Sequence, residues 1–438
     1  MHNFRYIDNL KLEAMQKNYI LKITLLLFLF FFSSKSFSQH TDLVDDSQSQ
    51  VLADSTKNYI IPDATSKGMK WSRTHNRWFT AKLGFAPILD YNSNFQNQDS
   101  KNQVGKQESR FDIRSARVMV SGKINFKNPW KYLISVEYKG LDRADDASNF
   151  GITDFKIVIP LSENSQLDFG KVKETFVYEM VGDAANLPQF ERLLNPFFNS
   201  RNIGVIYRHY LLNNRISLSG GIFKNWPASD KSFSNTDNTF TARITGLPKW
   251  ENDGKEFMHM GIGLRYVDAK NDIIRLKNKN ESNITTTYVD TGNMNASHQF
   301  NLSMEQLWSL DNFSVLMEYV HNWTATNDLG TQQFSGYYVT GSYVLSGEQR
   351  PYDQKAAYAR RIKPTGKYGA WEIFARVGAN DLETKEIHGG INNRYDLGLN
   401  WWATQYWKAG LVYGIGNLEK DGITGVTNNL QFRIQWIY

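Results

Sequence analysis

From Trp78 to the C-terminus the sequence alternates apolar with polar residues at every second position. That rhythm restricts the chain to strands that are oily on one face and wet on the other. Phe79, Ala81, Leu83, Phe85, Pro87, Leu89 and Tyr91 alternate with Thr80, Lys82, Gly84, Ala86, Ile88 and Asp90. The pattern recurs: Ala116, Val118, Val120, Gly122 and Ile124 oppose Ser115, Arg117, Met119, Ser121 and Lys123, and Trp371, Ile373, Ala375 and Val377 oppose Glu372, Phe374 and Arg376. In the last segment Leu430, Phe432, Ile434, Trp436 and Tyr438 take one face, and Gln431, Arg433 and Gln435 take the other.

Composition says which medium meets the apolar face. Aromatic residues make up 14% of the 438 residues, yet the mean hydropathy is −0.49. A soluble protein hides its rings in a core, whereas a barrel faces them to lipid and keeps a polar lumen. There is no cysteine, which excludes disulfides and thiolate metal sites. Near the N-terminus a basic flank precedes the apolar run Ile23 to Phe32 and a small-residue exit at Ser36-Phe37-Ser38, which together describe a secretory signal peptide over residues 1–38, with Met15 as an alternative start. The run is shorter than the roughly 20 apolar residues of a spanning helix. Five of the 50 basic and two of the 44 acidic residues lie in 1–38, so 45 and 42 remain, a net +3. Residues 39–77 form a polar N-terminal segment rich in Asp, Ser and Gln, expected to be mobile in the periplasm. The domain from 78 to 438 is then an all-β, antiparallel transmembrane barrel in the bacterial outer membrane.

Sixteen alternating segments are recognisable: 78–91, 110–126, 131–140, 150–160, 166–174, 201–210, 215–225, 239–247, 257–268, 297–308, 312–322, 333–345, 368–380, 391–402, 406–416 and 426–438. Connections of alternating length, such as 92–109 against 127–130 and 175–200 against 211–214, match long extracellular loops and short periplasmic turns. The connection 346–367 breaks this phase and is expected to fold back into or under the lumen. In hydrocarbon an unpaired strand edge costs several kcal/mol per polar group, so the sheet must close. An Arg or Lys facing lipid near the midplane costs about 2–4 kcal/mol, so the polar faces must point inward.

The inward faces then carry eleven bases (Lys82, Arg117, Lys123, Lys139, Lys156, Arg208, Arg243, Arg265, Arg376, Lys408 and Arg433) and eight acids (Asp90, Glu137, Asp154, Asp168, Glu305, Glu318, Glu372 and Asp396). Arg117, Arg243, Arg265, Arg376, Arg433, Lys82 and Lys123 are candidates for steering anions along a pore, because a guanidinium replaces lost water with paired hydrogen bonds. For each of them a structural ion pair with a lumen carboxylate is the competing role. The insertion 175–200, with Glu179, Asp183, Glu191, Arg192, Phe197 and Phe198, is expected to fold inward as a constriction, with Lys171, Lys173, Arg192 and Arg201 as candidates for the narrow zone. Tyr91, Tyr132, Tyr138, Trp401, Trp407 and Trp436 suit aromatic girdles at the membrane interfaces.

Further signals lie in Gly336-Tyr337-Tyr338-Val339 followed by Leu345-Ser346-Gly347-Glu348-Gln349-Arg350-Pro351-Tyr352, in Gly369-Ala370-Trp371-Glu372 with Arg376, and in Gly398-Leu399-Asn400-Trp401. Others are Arg243-Ile244-Thr245-Gly246-Leu247-Pro248, and Glu191-Arg192 leading to Arg201-Asn202-Ile203-Gly204. From roughly residue 78 onward their order and spacing resemble the phosphate-selective porin family (porins O and P) of Gram-negative outer membranes. The resemblance implies a 16-stranded barrel, usually a trimer, with loops folded into the pore and basic residues steering small anions such as phosphate.

The eight histidines show no metal-ligand spacing, and no Gly-x-Ser-x-Gly elbow or phosphate-binding glycine loop is present. The leading expectation is therefore passive diffusion of small charged solutes, with no enzyme activity, cofactor or nucleic-acid partner. A terminal strand ending on Tyr438 suits recognition by the outer-membrane assembly machinery. A weakly selective general pore, a membrane-embedded hydrolase whose triad assembles only in space, and a loop-plugged ligand-binding barrel are the alternatives.

Overall fold

A computed structural model describes residues 73–138, 150–224 and 236–438. The expected signal peptide, the lead-in up to residue 72, Lys139, the connection 141–149 and most of 226–238 lie outside the described residues.

Sixteen strands form the wall: β1 Phe79–Gln96, β2 Arg110–Ile124, β3 Trp130–Tyr138, β4 Phe150–Ser162, β5 Ser165–Val172, β6 Asn202–Leu211, β7 Ile216–Lys224 and β8 Thr236–Glu251. The second half is β9 Glu256–Ala269, β10 Met294–Leu310, β11 Phe313–Thr326, β12 Thr331–Val344, β13 Ala370–Glu383, β14 His388–Trp402, β15 Trp407–Lys420 and β16 Ile423–Trp436. Each pairs antiparallel with the next, and β16 returns to β1 through Ile88↔Gln435 to Gln96↔Thr427, so the sheet closes. The Phe85 and Tyr438 backbones exchange both hydrogen bonds at 3.1 and 2.9 Å and extend the seam to the last residue. No helix among the described residues is long and apolar enough to cross a membrane, and the strands do the crossing.

Period two sorts the side chains as expected. Ile244, Ile262, Leu264, Val339, Leu397, Leu399 and Phe432 are exposed on the outside, while Arg243, Arg265, Thr340, Arg376, Asp396 and Arg433 are buried within. At the rim bearing the short turns, Trp371 stacks on Trp401 and Trp407 on Trp436, with centroids 5.8 and 5.7 Å apart.

The strand ends depart from expectation. β1 runs on to Gln96 and β10 begins at Met294, because a hydrogen-bonded ladder continues where apolar alternation stops. Three connections on the long-loop rim are consequently short: 327–330, 384–387 and 421–422. The last is a tight hairpin turn in which Asp421 and Gly422 both have positive φ, 53° and 75°. Within the polar lead-in, Arg73–His75 pairs with Thr80–Lys82 as a short strand.

Segments from both rims enter the barrel. From the long-loop rim come residues 173–201, whose Phe176, Val177, Met180, Leu193, Leu194 and Phe197 are fully buried, and residues 270–293, whose Val289 and Asn280 are as well. From the short-turn rim comes 345–369, the connection that breaks the alternation of lengths. It contains the small hairpin Tyr352–Asp353 with Tyr358–Ala359 and the buried Ile362. Gly347 and Gly369, with φ of 90° and 77°, turn the chain in and out again.

Candidate functional site

Glycines on inward strand faces make the bed for the first insertion. A methyl group at Gly263 would lie 2.2 Å from the Phe176 carbonyl oxygen, at Gly336 2.8 Å from Phe197, at Gly378 2.4 Å from Leu193, and at Gly410 2.7 Å from Phe190. At Gly263 no other residue allows the inserted backbone so close to the wall, and at the other three the glycine makes room for an inserted side chain.

Lumen carboxylates then hold the insertion in place. Glu318 accepts the N–H groups of Tyr178 (2.6 Å) and Glu179 (2.9 Å) and the Tyr338 hydroxyl. Glu179 accepts the N–H groups of Leu193 (3.1 Å) and Leu194 (3.0 Å). Arg376 donates to Glu179 (3.0 Å) and to Glu281 of the second insertion (2.9 Å), and lies 4.0 Å from the Tyr338 ring centre. The third insertion is fixed in the same manner. Arg350 pairs with Glu372, Arg243 donates to the Ala357 carbonyl (3.0 Å), and Tyr352 Oη lies 2.6 Å from His259 Nδ1. The two opposed insertions also touch, since Ala359 N donates to Tyr178 Oη (2.8 Å) and Tyr358 Oη to Asp183 (3.2 Å).

All eight expected lumen acids are buried. The bases divide by wall. On β8–β14 the ion pairs are buried in both partners: Arg243 with Glu305 at 2.5 Å, side chains 3% and 0% exposed, together with Arg376 as above and Arg394 with Asp396 at 2.5 Å. Arg265 with Glu174 at 2.6 Å is equally closed. Along β2–β5 two acids lie sealed under a base that keeps exposed surface, Arg117 (17%) with Glu137 (1%) at 2.7 Å and Lys156 (11%) with Asp168 (0%) at 2.8 Å, whereas Asp154 and Asp168 also meet the buried Arg201 and Arg208 at 2.8 and 3.0 Å. Lys123 and Lys131, opposite one another in the β2–β3 pairing, are exposed, and Lys82 is half-buried with its Nζ 5.6 Å from the Tyr438 ring centre.

Of the residues expected at the narrow zone, three gather beside this open wall. Lys173 pairs with Asp183 (2.8 Å), Arg192 donates to the carbonyls of Glu179 (2.6 Å) and Gly182 (3.1 Å), and Arg201 donates to Asp154 (2.8 Å). Lys171 is taken up by the wall instead, buried with its Nζ 2.8 Å from the Ile152 carbonyl. Burial lowers the Lys173 ammonium to about 8, with Asp183 opposing the fall. Arg433, near the seam, bonds Asp90 at 2.6 and 2.7 Å and Glu191 at 2.6 Å.

Parity overlooks several functional side chains. Lys131 opens the expected segment 131–140 and shares the inward face of Leu133 and Ser135, yet it is missing from the inward bases. Arg114 has outward parity and is reversed by a bulge; Arg350, Lys355 and Arg360 sit on the third insertion, where no periodicity applies.

Residues 88–435 match the family model described as phosphate-selective porin O and P. The chain belongs to that family. Porin O of Pseudomonas aeruginosa is 24% identical over 401 residues, covering 83% of this chain and 88% of the relative. Among solved structures, the outer-membrane channel DcaP of Acinetobacter baumannii superposes with a TM-score of 0.53 at 11% identity, over 83% of this chain and 99% of that one. OmpT of Vibrio cholerae in its trimer form gives 0.51 at 11% (82% and 99%), and an anion-selective porin from Comamonas acidovorans gives 0.50 at 8% (82% and 100%). This member of the porin O and P family is therefore a passive channel of the bacterial outer membrane.

Several sequence signatures thereby acquire physical roles. Gly336 and Tyr338 seat and bond the first insertion, Gly369 turns the third one out of the lumen, and Asn400 donates to the Pro188 carbonyl at 2.9 Å.

Proposed function

We propose that this porin passes small anions, phosphate among them, in preference to cations, along a gap between the first insertion and the wall of β1–β5. The uneven exposure of the ion pairs carries this reading. Beside β2–β4, Arg117, Lys123, Lys131 and Lys156 keep exposed surface in front of the sealed Glu137 and Asp168, so a permeating ion meets guanidinium and ammonium groups there; at the first insertion Lys173 and Asp183 are open alike, 16% and 22%. Steering is screened over about 8 Å at physiological ionic strength, so the groups that decide selectivity are those at the gap: Lys173, Arg192 and Arg117; Arg201 is closed on the buried Asp154. Arg243, Arg265, Arg376 and Arg433, neutralised by buried carboxylates, hold the insertions and contribute little to the potential. The family described as phosphate-selective and the anion-selective Comamonas porin by fold support the reading; the trimeric OmpT supports a homotrimer. Residues 1–38 would be removed on export, and the strand ending at Tyr438 would be read by the assembly machinery.

Reversal potentials in planar bilayers under a potassium chloride gradient test it. The expected sign is that of chloride permeation, with added phosphate lowering the chloride current. A cation-selective potential contradicts it. The filling of the lumen by three insertions favours a second reading, a loop-plugged barrel with an external ligand, and a silent bilayer would be its mark.

A further inference from the structure

Even positions on β2 face lipid, as Ala116, Val118 and Val120 show, and Arg114 has that parity. The pairing with β1 slips between Ile88↔Ser115 and Leu89↔Ile113 and leaves Arg114 without a cross-strand partner. This bulge reverses the facing of the residues before it: Ile113 and Phe111, odd-numbered like the lumen-facing Ser115 and Met119, lie outside. Arg114 thus enters the lumen and grips Glu191 with both arms, Nε to Oε1 at 2.6 Å and Nη2 to Oε2 at 3.0 Å. Planar pairing of this kind fixes orientation as well as distance.

Glu191 is gripped a second time by Arg433, whose Nη1 also donates to the Phe190 carbonyl (2.6 Å) and whose guanidinium carbon lies 4.8 Å from the Phe190 ring centre. Asp90 holds Arg433 from the other side. Two consecutive residues of the insertion are therefore bound to β2 and β16, the strands on either side of β1, whose Asp90 braces Arg433 across the closing seam. The next residue is Arg192, one of the bases at the gap.

We propose that Arg114 is a positioning residue: by docking Glu191 across the seam it sets the distance between the first insertion and the basic wall, and with it the width at which the channel discriminates ions. The proposal rests on the anion-channel reading for its selectivity arm, and on geometry alone for its conductance arm.

The experiment is single-channel recording of Arg114→Gln, Glu191→Gln, the double variant and the exchange Arg114→Glu/Glu191→Arg, each first shown to fold by its strand-rich circular dichroism. Both single variants should raise conductance and lower anion preference, Glu191→Gln about twofold or more and Arg114→Gln less, because Arg433 still holds Glu191 in the latter. The double variant should match Glu191→Gln, which frees the anchor from both Arg114 and Arg433, and the exchange, which sets a second guanidinium against Arg433, should leave conductance raised. A wall-charge role predicts the opposite sign for Glu191→Gln, since losing a negative charge would raise anion preference. Unchanged conductance in both single variants, or simple addition in the double variant, overturns the proposal. A non-selective wild type would sink the anion reading and leave the conductance arm standing.

Discussion

At the scale of single residues, the lumen stores charge in two ways. Where both partners are buried, an arginine is a fastener, and its loss strands the acids it served. Arg376→Ala leaves Glu179 and Glu281 unpaired and should destabilise the barrel by about 3–5 kcal/mol in urea unfolding from lipid vesicles. A change below about 1 kcal/mol would mean that solvent reaches those carboxylates. Where the base is exposed, it should act on ions instead. Lys173 falls to about 8, so it carries its charge below that pH and loses it above, while the unfolded chain keeps the proton to about 10.4. Anion preference should therefore decline as pH rises through 8, and Lys173→Met should flatten that step. The same shift makes the group unfavourable to folding below pH 8, an effect that fades between 8 and 10.4. The inward position of Arg243, Arg376 or Arg433 is legible from parity alone. Their partners are not, because Glu179, Glu281 and Glu191 lie on irregular backbone that no periodicity places.

At the scale of elements, sixteen strands are legible because lipid enforces alternation on each, and the ends are not, because the ladders outrun the lipid band. The inward turn of 346–367 is legible as a break in connection lengths, whereas its docking on Arg243, His259 and Glu372 depends on folded geometry. Facing predicts opposite outcomes for one substitution. Leu397→Arg, on the lipid face, should cost about 2–4 kcal/mol in refolding titrations, while Thr427→Arg on the lumen face should alter conductance first. The glycine bed is equally testable. Gly263→Val drives a side chain into the Phe176 carbonyl, so the first insertion should lift, conductance should rise, and the strand signature in circular dichroism should remain. An unchanged conductance would show that the insertion does not narrow the channel.

At the scale of the whole molecule, insertions from both rims fill the barrel, and on the proposed function ions pass beside β1–β5. The asymmetry is the central claim: the β8–β16 side is packed, and the β1–β5 side is where ions move. The natural chain contains no cysteine, so each engineered one is a unique target. The decisive measurement is channel current while a charged methanethiosulfonate reagent is added to Lys131→Cys or Arg117→Cys and, in parallel, to Asn301→Cys or Thr340→Cys. Stepwise loss of current in the first pair and none in the second is the expected result. Equal block at both walls, or block only at Asn301→Cys and Thr340→Cys, would contradict the account.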